Sequence, residues 1–400
     1  MTALGTHPAE PPLQYQPDRA QYEKRGQLRK ETENLPSTLP TGFPAKLVSP
    51  LVWDGKEMQK RTDWICELND AQLDEIDRAL KSFKALDLPL GFIDQTTFPL
   101  PNLHAELRKL SRELHLGRGF FIIRGLRVDD YSREENTIIY IGVSAHVADV
   151  RGRQQDTRFN AGKSLIVSHI KDLSRTRDAA KIGAPSNTAD KQVFHTDGGD
   201  IISLLCLNPS AQGGESYIAS SWQIYNILAQ QRPDLIHTLS QDWPFDGFGN
   251  VERPYSQRPL LFHQPATQSK PERVMMQYAR RYFTGFQAQP RSPDIPPLSQ
   301  AQAEALDALH FLSEDNCASL DFKRGDIQYI NNHSIFHARN GFSDEPGNER
   351  HLLRLWLRDT EYSWDTPAPL RERWEHVYKD VNPADQVFPL EPNVHKSLGS

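Results

Sequence analysis

Phe194-His195-Thr196-Asp197, followed after three residues by the apolar run Ile201-Ile202-Ser203-Leu204-Leu205-Cys206-Leu207, is the stretch on which the reading of this chain turns. The run reads as a buried strand. His195 and Asp197 stand just before it, two positions apart, so on extended backbone both side chains project to the same side. One imidazole and one carboxylate from neighbouring positions are two of the three donors in the two-His-one-carboxylate set. That set grips non-haem Fe(II) on one face and leaves three coordination positions open.

The third donor lies far along the chain. His333 and His337 both follow the strand predicted from Gly325-Asp326-Ile327-Gln328-Tyr329-Ile330. His337 is the better candidate, because it follows Ile335-Phe336, whereas His333 sits among Asn331, Asn332 and Ser334 and reads as turn chemistry. The next strand, His351 to Arg358, alternates: Arg350, Arg354 and Trp356 fall on one face and Leu353, Leu355 and Leu357 on the other. An arginine that faces a barrel interior needs an anion, since an unpaired buried charge is costly. A co-substrate carboxylate held bidentately meets that need. Gly213-Gly214-Glu215-Ser216 reads as a turn with glycines supplying positive φ. The Ser216 hydroxyl is placed to donate to the carboxylate that Arg350 grips.

Working outward, Asn69 to Leu86 carries an apolar stripe (Leu73, Ile76, Leu80, Phe83) behind an Asn69/Gln72 capping box. A second amphipathic helix over Leu103 to Leu116 ends at Gly117, and Gly119 to Gly125 encloses a short buried strand. Helical insertions are expected at Ser221 to Ala229 and at Ser299 to Ser313, the latter opened by a Ser299/Gln302 capping box. Strands spread over a long span and interrupted by helices fit a mainly β fold with flanking helices on a double-stranded β-helix (jelly-roll) core. Residues 1–40, polar and proline-rich, read as a flexible arm; 41–365 as one domain; 366–400 as a C-terminal extension.

Composition narrows the function. The net charge of -6 and pI near 6.2 provide no basic field for nucleic acid or an anionic membrane. No apolar run is long enough to cross a bilayer, and the first 28 residues lack the apolar core of a signal peptide. The three cysteines, Cys66, Cys206 and Cys317, are too few and too scattered for a disulfide framework. A cytoplasmic protein acting on a small molecule is the expectation.

Taken in order, His195-x-Asp197, Gly213-Gly214-Glu215-Ser216, Gly325-Asp326, Asn332 to His337 and Arg350-x-x-x-Arg354 resemble the taurine dioxygenase (TauD/TfdA-like) Fe(II)/2-oxoglutarate-dependent oxygenases. The likeness covers residues 90 to 360 and is greatest to the fungal branch. It implies His195, Asp197 and His337 as iron ligands, and Arg350 with Ser216 on the distal carboxylate of 2-oxoglutarate. Ser216 stands where threonine is common, and the hydroxyl is kept. The resemblance also implies that Arg354 contacts the anionic group of a small anionic or amino-acid-like substrate. An unactivated C–H bond of that substrate would be oxidised with O2, by hydroxylation, desaturation or cyclisation. Two rivals remain: a Zn-dependent hydrolase or isomerase on a cupin-like barrel, and an inert barrel acting as a binding protein. The first leaves Arg350, Arg354 and the Gly213–Ser216 turn without a role, and the second leaves an intact ligand set unexplained.

Overall fold

The computed structural model describes residues 11–155, 157, 160–174, 176–178 and 182–392. Its core is two facing sheets. The larger runs in the order Ile65–Glu67, Phe120–Arg124, Ile327–Asn331, Ile201–Asn208, His351–Arg358 and Val150–Gly152, with Ser168–Ile170 also paired to His351–Arg358. The smaller runs Ala318–Leu320, Ser216–Ser220, Ile335–Arg339, Gln192–His195.

Strand alternation decides what each face meets. Ile202, Ile330, Trp356 and Phe120 of the larger sheet pack against Ile218 and Ile335 of the smaller one. The opposite face of the larger sheet (Phe121, Tyr329, Leu205, Leu353, Leu355) is covered by the helices Asp70–Ala85, His104–Leu116 and Arg133–Val147. The outer face of the smaller sheet (Phe194, Ala219, Phe336) is covered by Ser221–Gln231 and Gln300–Asp315. The mainly β fold with flanking helices is therefore observed. Both expected capping boxes form, at Asn69/Gln72 and Ser299/Gln302.

Three readings need correction. Residues 1–10 lie outside the described residues, but the rest of the expected arm is ordered: Arg19–Thr32 is a helix capped by Asp18. It docks through charge. Arg25 pairs with Asp307 at 2.5 Å, and Arg29 with Glu304 at 2.5 Å and Asp234 at 3.4 Å, all with buried side chains. A composition argument that counts only apolar burial cannot see such docking. The region beyond residue 365 is likewise partly built in. Trp374 and Val377 of the helix Arg371–Tyr378 are buried, and Gln386–Val387 pairs in parallel with Ser164–Leu165; residues 393–400 lie outside the described residues. Finally, His333 is no solvated turn residue. It is 4 % exposed, bonds Asp200 at 3.1 Å and stacks against Trp364 and Trp374.

Candidate metal centre

Gln192–His195 and Ile335–Arg339 are neighbours in the smaller sheet, with His337 directly opposite His195. Directly opposed residues share a face, so both imidazoles point inward, their ring centroids 4.1 Å apart. Asp197 follows on the loop that enters Ile201–Asn208. Asn332, in the turn before Ile335–Arg339, fixes that loop: its side-chain carbonyl accepts from the Asp197 N–H, and its amide donates to the carbonyls of Asp197 and Gly199. One donor atom from each of His195, Asp197 and His337 then lies within 4.8 Å of the others.

The hydrogen bonds sort the atoms by availability. His195 Nδ1 donates to the Val193 carbonyl at 2.8 Å, which leaves Nε2 with its lone pair 3.7 Å from Asp197 Oδ1. The Gln192 amide lies 3.1 Å from the same Nε2. Asp197 Oδ2 accepts from Arg354 Nη1 at 2.8 Å and from Trp356 Nε1 at 3.2 Å, while Oδ1 is buried without a partner. One oxygen is thus anchored and the other left over, the arrangement expected of a carboxylate held ready for monodentate ligation. Burial pushes the His337 imidazole down to about 3, with His195 adding to the effect, and lowers His195 too. Burial alone would raise Asp197, but Arg354, His337 and His195 outweigh it and keep the carboxylate below its ordinary range. Two neutral imidazoles and one carboxylate are the donor forms that a divalent cation requires.

The other expected site residues fall in two places. Arg354 belongs to the centre itself: besides Asp197, its Nε donates to Gln154 Oε1 at 2.8 Å. Ser216 is opposite Arg339, one inward-facing pair beyond His337, and its hydroxyl crosses to Gln328 of the larger sheet at 3.4 Å. Arg350 lies at the far end of the interior from Asp197, just before His351–Arg358. It lines a cavity of about 320 Å³ with Cys206, Leu352 and the Gly213–Gly214 turn. Both of those glycines have positive φ, and a Cβ on Gly214 would come within 3.3 Å of Arg350 Nε. Arg350 is 5 % exposed and forms no ion pair among the described residues; its Nη1 has no hydrogen-bond partner. Burial drives it down to about 10, still charged at neutral pH.

Sequence reading left Gln154 out of the site and gave Asn332, Gln192 and Arg339 no role of their own. Arg339 is buried and faces inward beside Ser216, where it donates to the Thr188 and Asp190 carbonyls. Its parity with His337 was the available signal. Gln154 carried none, since it meets Arg354 from 200 residues away.

The chain belongs to the taurine catabolism dioxygenase TauD, TfdA family, whose profile matches residues 67–356. It is therefore an Fe(II)/2-oxoglutarate-dependent dioxygenase, using Fe(II), 2-oxoglutarate and O2. Among its relatives is a taurine hydroxylase-like protein of Stachybotrys chartarum, 34% identical over 355 residues, or 87% of this chain and 89% of that one. The FR-33289 synthase of Streptomyces rubellomurinus is 25% identical over 339 residues, 81% of this chain and 93% of that one. Among solved structures, an asparagine oxygenase in complex with Fe(II), 3-hydroxyasparagine and succinate has a TM-score of 0.55 at 13% identity. The alignment covers 76% of this chain and 98% of that one. The non-haem iron oxygenase OrfP, in complex with Fe and alpha-ketoglutaric acid, has a TM-score of 0.53 at 15% identity over 78% and 99%.

Proposed function

We propose that His195, Asp197 and His337 hold the Fe(II), that Arg350 and Ser216 hold the distal carboxylate of 2-oxoglutarate, and that the enzyme oxidises a C–H bond of a small amino-acid-like substrate. The two facing sheets read as a double-stranded β-helix with these residues inside. The observation that carries the assignment is the division of labour at Asp197, with Oδ2 tied to Arg354 and Trp356 and Oδ1 left over beside two imidazole nitrogens. The substrate class draws support from the hydroxyasparagine and hydroxyarginine found with the asparagine oxygenase and OrfP.

When bound, iron and 2-oxoglutarate supply oxidising power for an unactivated C–H bond. The chain supplies position. Asn332 fixes the backbone of residue 197, the Val193 carbonyl fixes the His195 tautomer, and Arg354 with Trp356 fixes the carboxylate plane. Arg354 acts as a positioning residue, since two of its nitrogens are already committed to Asp197 and Gln154. Arg350 offers a buried guanidinium with no ion-pair partner among the described residues, where a charge-assisted bond to a carboxylate is strong. Ile202, Ile218, Ile330 and Trp356 keep water from the interior.

Anaerobic titration of the apo-protein with Fe(II) and 2-oxoglutarate tests this. A weak visible charge-transfer band should appear and should be lost in His337→Ala and Arg350→Ala. A folded, metal-binding protein without the band would overturn the assignment of these residues to iron and 2-oxoglutarate.

A further inference from the structure

The chain's three cysteines look alike in the sequence and differ in what the fold sets beside them. Cys66 gives its thiol to Glu106 Oε1 at 3.4 Å. Cys317 gives its thiol to the Glu314 carbonyl at 3.3 Å, and the carboxylates of Glu314 and Asp315 act on it more strongly than Lys191 does. Both are partly exposed and both sit in negative surroundings. Cys206 is 1 % exposed and has a guanidinium near it instead. It pairs across the larger sheet with Leu352, two residues after Arg350, and with Arg350 it lines the cavity of about 320 Å³. Burial pushes its thiol up to about 12, and Arg350 is the strongest influence in the opposite direction.

Small solutes can reach that cavity, because its outer wall includes the exposed Gln59, Gly213 and Asp321. Its acids are already engaged: Glu215 accepts from the Asn340 amide, and Asp321 pairs with Lys323. Arg350, 5 % exposed and with Nη1 lacking a hydrogen-bond partner, is the group inside that attracts an anion. A carboxylate drawn to Arg350 is held beside Cys206. An electrophilic carbon on the same small molecule then meets the sulfur at high effective concentration. The raised thiol keeps the thiolate scarce, so placement rather than acidity has to supply the rate. A neutral reagent gains no such placement.

We propose that Cys206 and Arg350 together form a covalent-modification site for small electrophiles that carry a carboxylate, and that the adduct closes the co-substrate cavity. This rests on Arg350 as the anchor of 2-oxoglutarate. The electrophile is an α-halo acid or an α,β-unsaturated diacid. With the first, the thiolate sulfur bonds the α-carbon, the carbon–halogen bond breaks, halide leaves and the thiol proton passes to hydroxide. With the second, the sulfur adds to the β-carbon and the α-carbon takes a proton from water. Neither step needs an oxidant or a reductant. Either adduct leaves a tethered carboxylate beside Arg350, in the place of the free one.

Anaerobic Fe(II)-loaded protein treated with iodoacetate or iodoacetamide in mildly alkaline buffer, with peptide mass spectrometry of the three cysteines, tests the site. Iodoacetate should modify Cys206 ahead of Cys66 and Cys317, and iodoacetamide should show the reverse order. Arg350→Met should slow iodoacetate at Cys206 roughly 10- to 100-fold, the worth of one charge-assisted hydrogen bond, and leave iodoacetamide unaffected. 2-Oxoglutarate should protect Cys206 in wild type, a comparison that stands even if Arg350→Met fails to fold. Labelled wild type should lose the Fe(II)/2-oxoglutarate band, whereas Cys206→Ser, judged against its own untreated sample, should keep it. Iodoacetate labelling of Cys66 or Cys317 first, or an unchanged rate at Cys206 in folded Arg350→Met, would sink the proposal. The band separates the failures. Present in untreated wild type, it confines such a failure to the modification site; its absence removes the reading of Arg350 and the proposal with it.

Discussion

Two groups of buried arginines in this molecule look alike by exposure and differ in what faces them. At the N-terminal helix, Arg25, Arg29, Arg232 and Arg280 meet Asp307, Glu304 and Asp234 in a closed set of ion pairs. In and around the interior, Arg350, Arg339, Arg258 and Arg281 form no ion pair among the described residues, and burial lowers each of them. The first group does structural work, because each charge removed would strand another. The second leans instead on carbonyl and amide oxygens and on ring faces, which satisfy its donors only in part. Arg354 stands between the two, paired with the carboxylate of Asp197, the proposed metal ligand.

Substitutions can break or sharpen this contrast. The largest effect is expected at the centre: His337→Ala should abolish 2-oxoglutarate turnover, read as succinate release, and EDTA should do the same reversibly in wild type. Arg29→Met comes next. It leaves Glu304 buried with one partner fewer, so denaturant unfolding should show a loss of about 3–5 kcal/mol. Arg350→Met should behave in the opposite sense. Affinity for 2-oxoglutarate should fall roughly 100-fold, the worth of a charge-assisted bond, while the unfolding midpoint stays level or rises by the equivalent of about 1 kcal/mol. If Arg350→Met instead destabilised as Arg29→Met does, the division into two groups would collapse. Arg354→Gln should weaken Fe(II) binding about 10- to 100-fold by releasing Asp197 Oδ2, measured by competition with a chelator. Ser216→Ala, the smallest, should raise the KM for 2-oxoglutarate about fivefold, near 1 kcal/mol.

How much of this could be read from the chain follows the same division. The strand His351–Arg358, the two capping boxes and the His195/Asp197 pair depend on local spacing, and each appears where spacing put it, while His337 joins the pair only through strand pairing. The helix Arg133–Val147 escaped notice because Asn136 to Val147 are all buried, so no polar face marks its period. The strand Ile65–Glu67 is three residues long and gains its identity only from parallel pairing with Ile122 to Arg124. The helix Arg19–Thr32 and His333 were misread for a shared reason. A charged residue announces its sign, but whether a partner reaches it is decided by contacts as distant as the 282 residues between Arg25 and Asp307. The same blindness concealed Arg258 and Arg281, whose lack of acidic partners exists only in the folded arrangement.

The helix Arg371–Tyr378 has a bearing on how the enzyme is made. Trp374 Nε1 donates to Asp200 Oδ1, and the Asp200 N–H donates to Tyr378 Oη, which in turn bonds the Leu357 carbonyl. These contacts brace the loop that begins at Asp197 from positions nearly two hundred residues downstream. A ribosome adding roughly 5–20 residues per second needs on the order of 10–40 s to travel that distance. During that interval His195 and Asp197 are already synthesised, while His337, Arg354 and the bracing helix have not yet followed. A nascent chain stalled before Trp374 would therefore emerge with the loop after Asp197 unbraced, its sheets already synthesised but this support still missing.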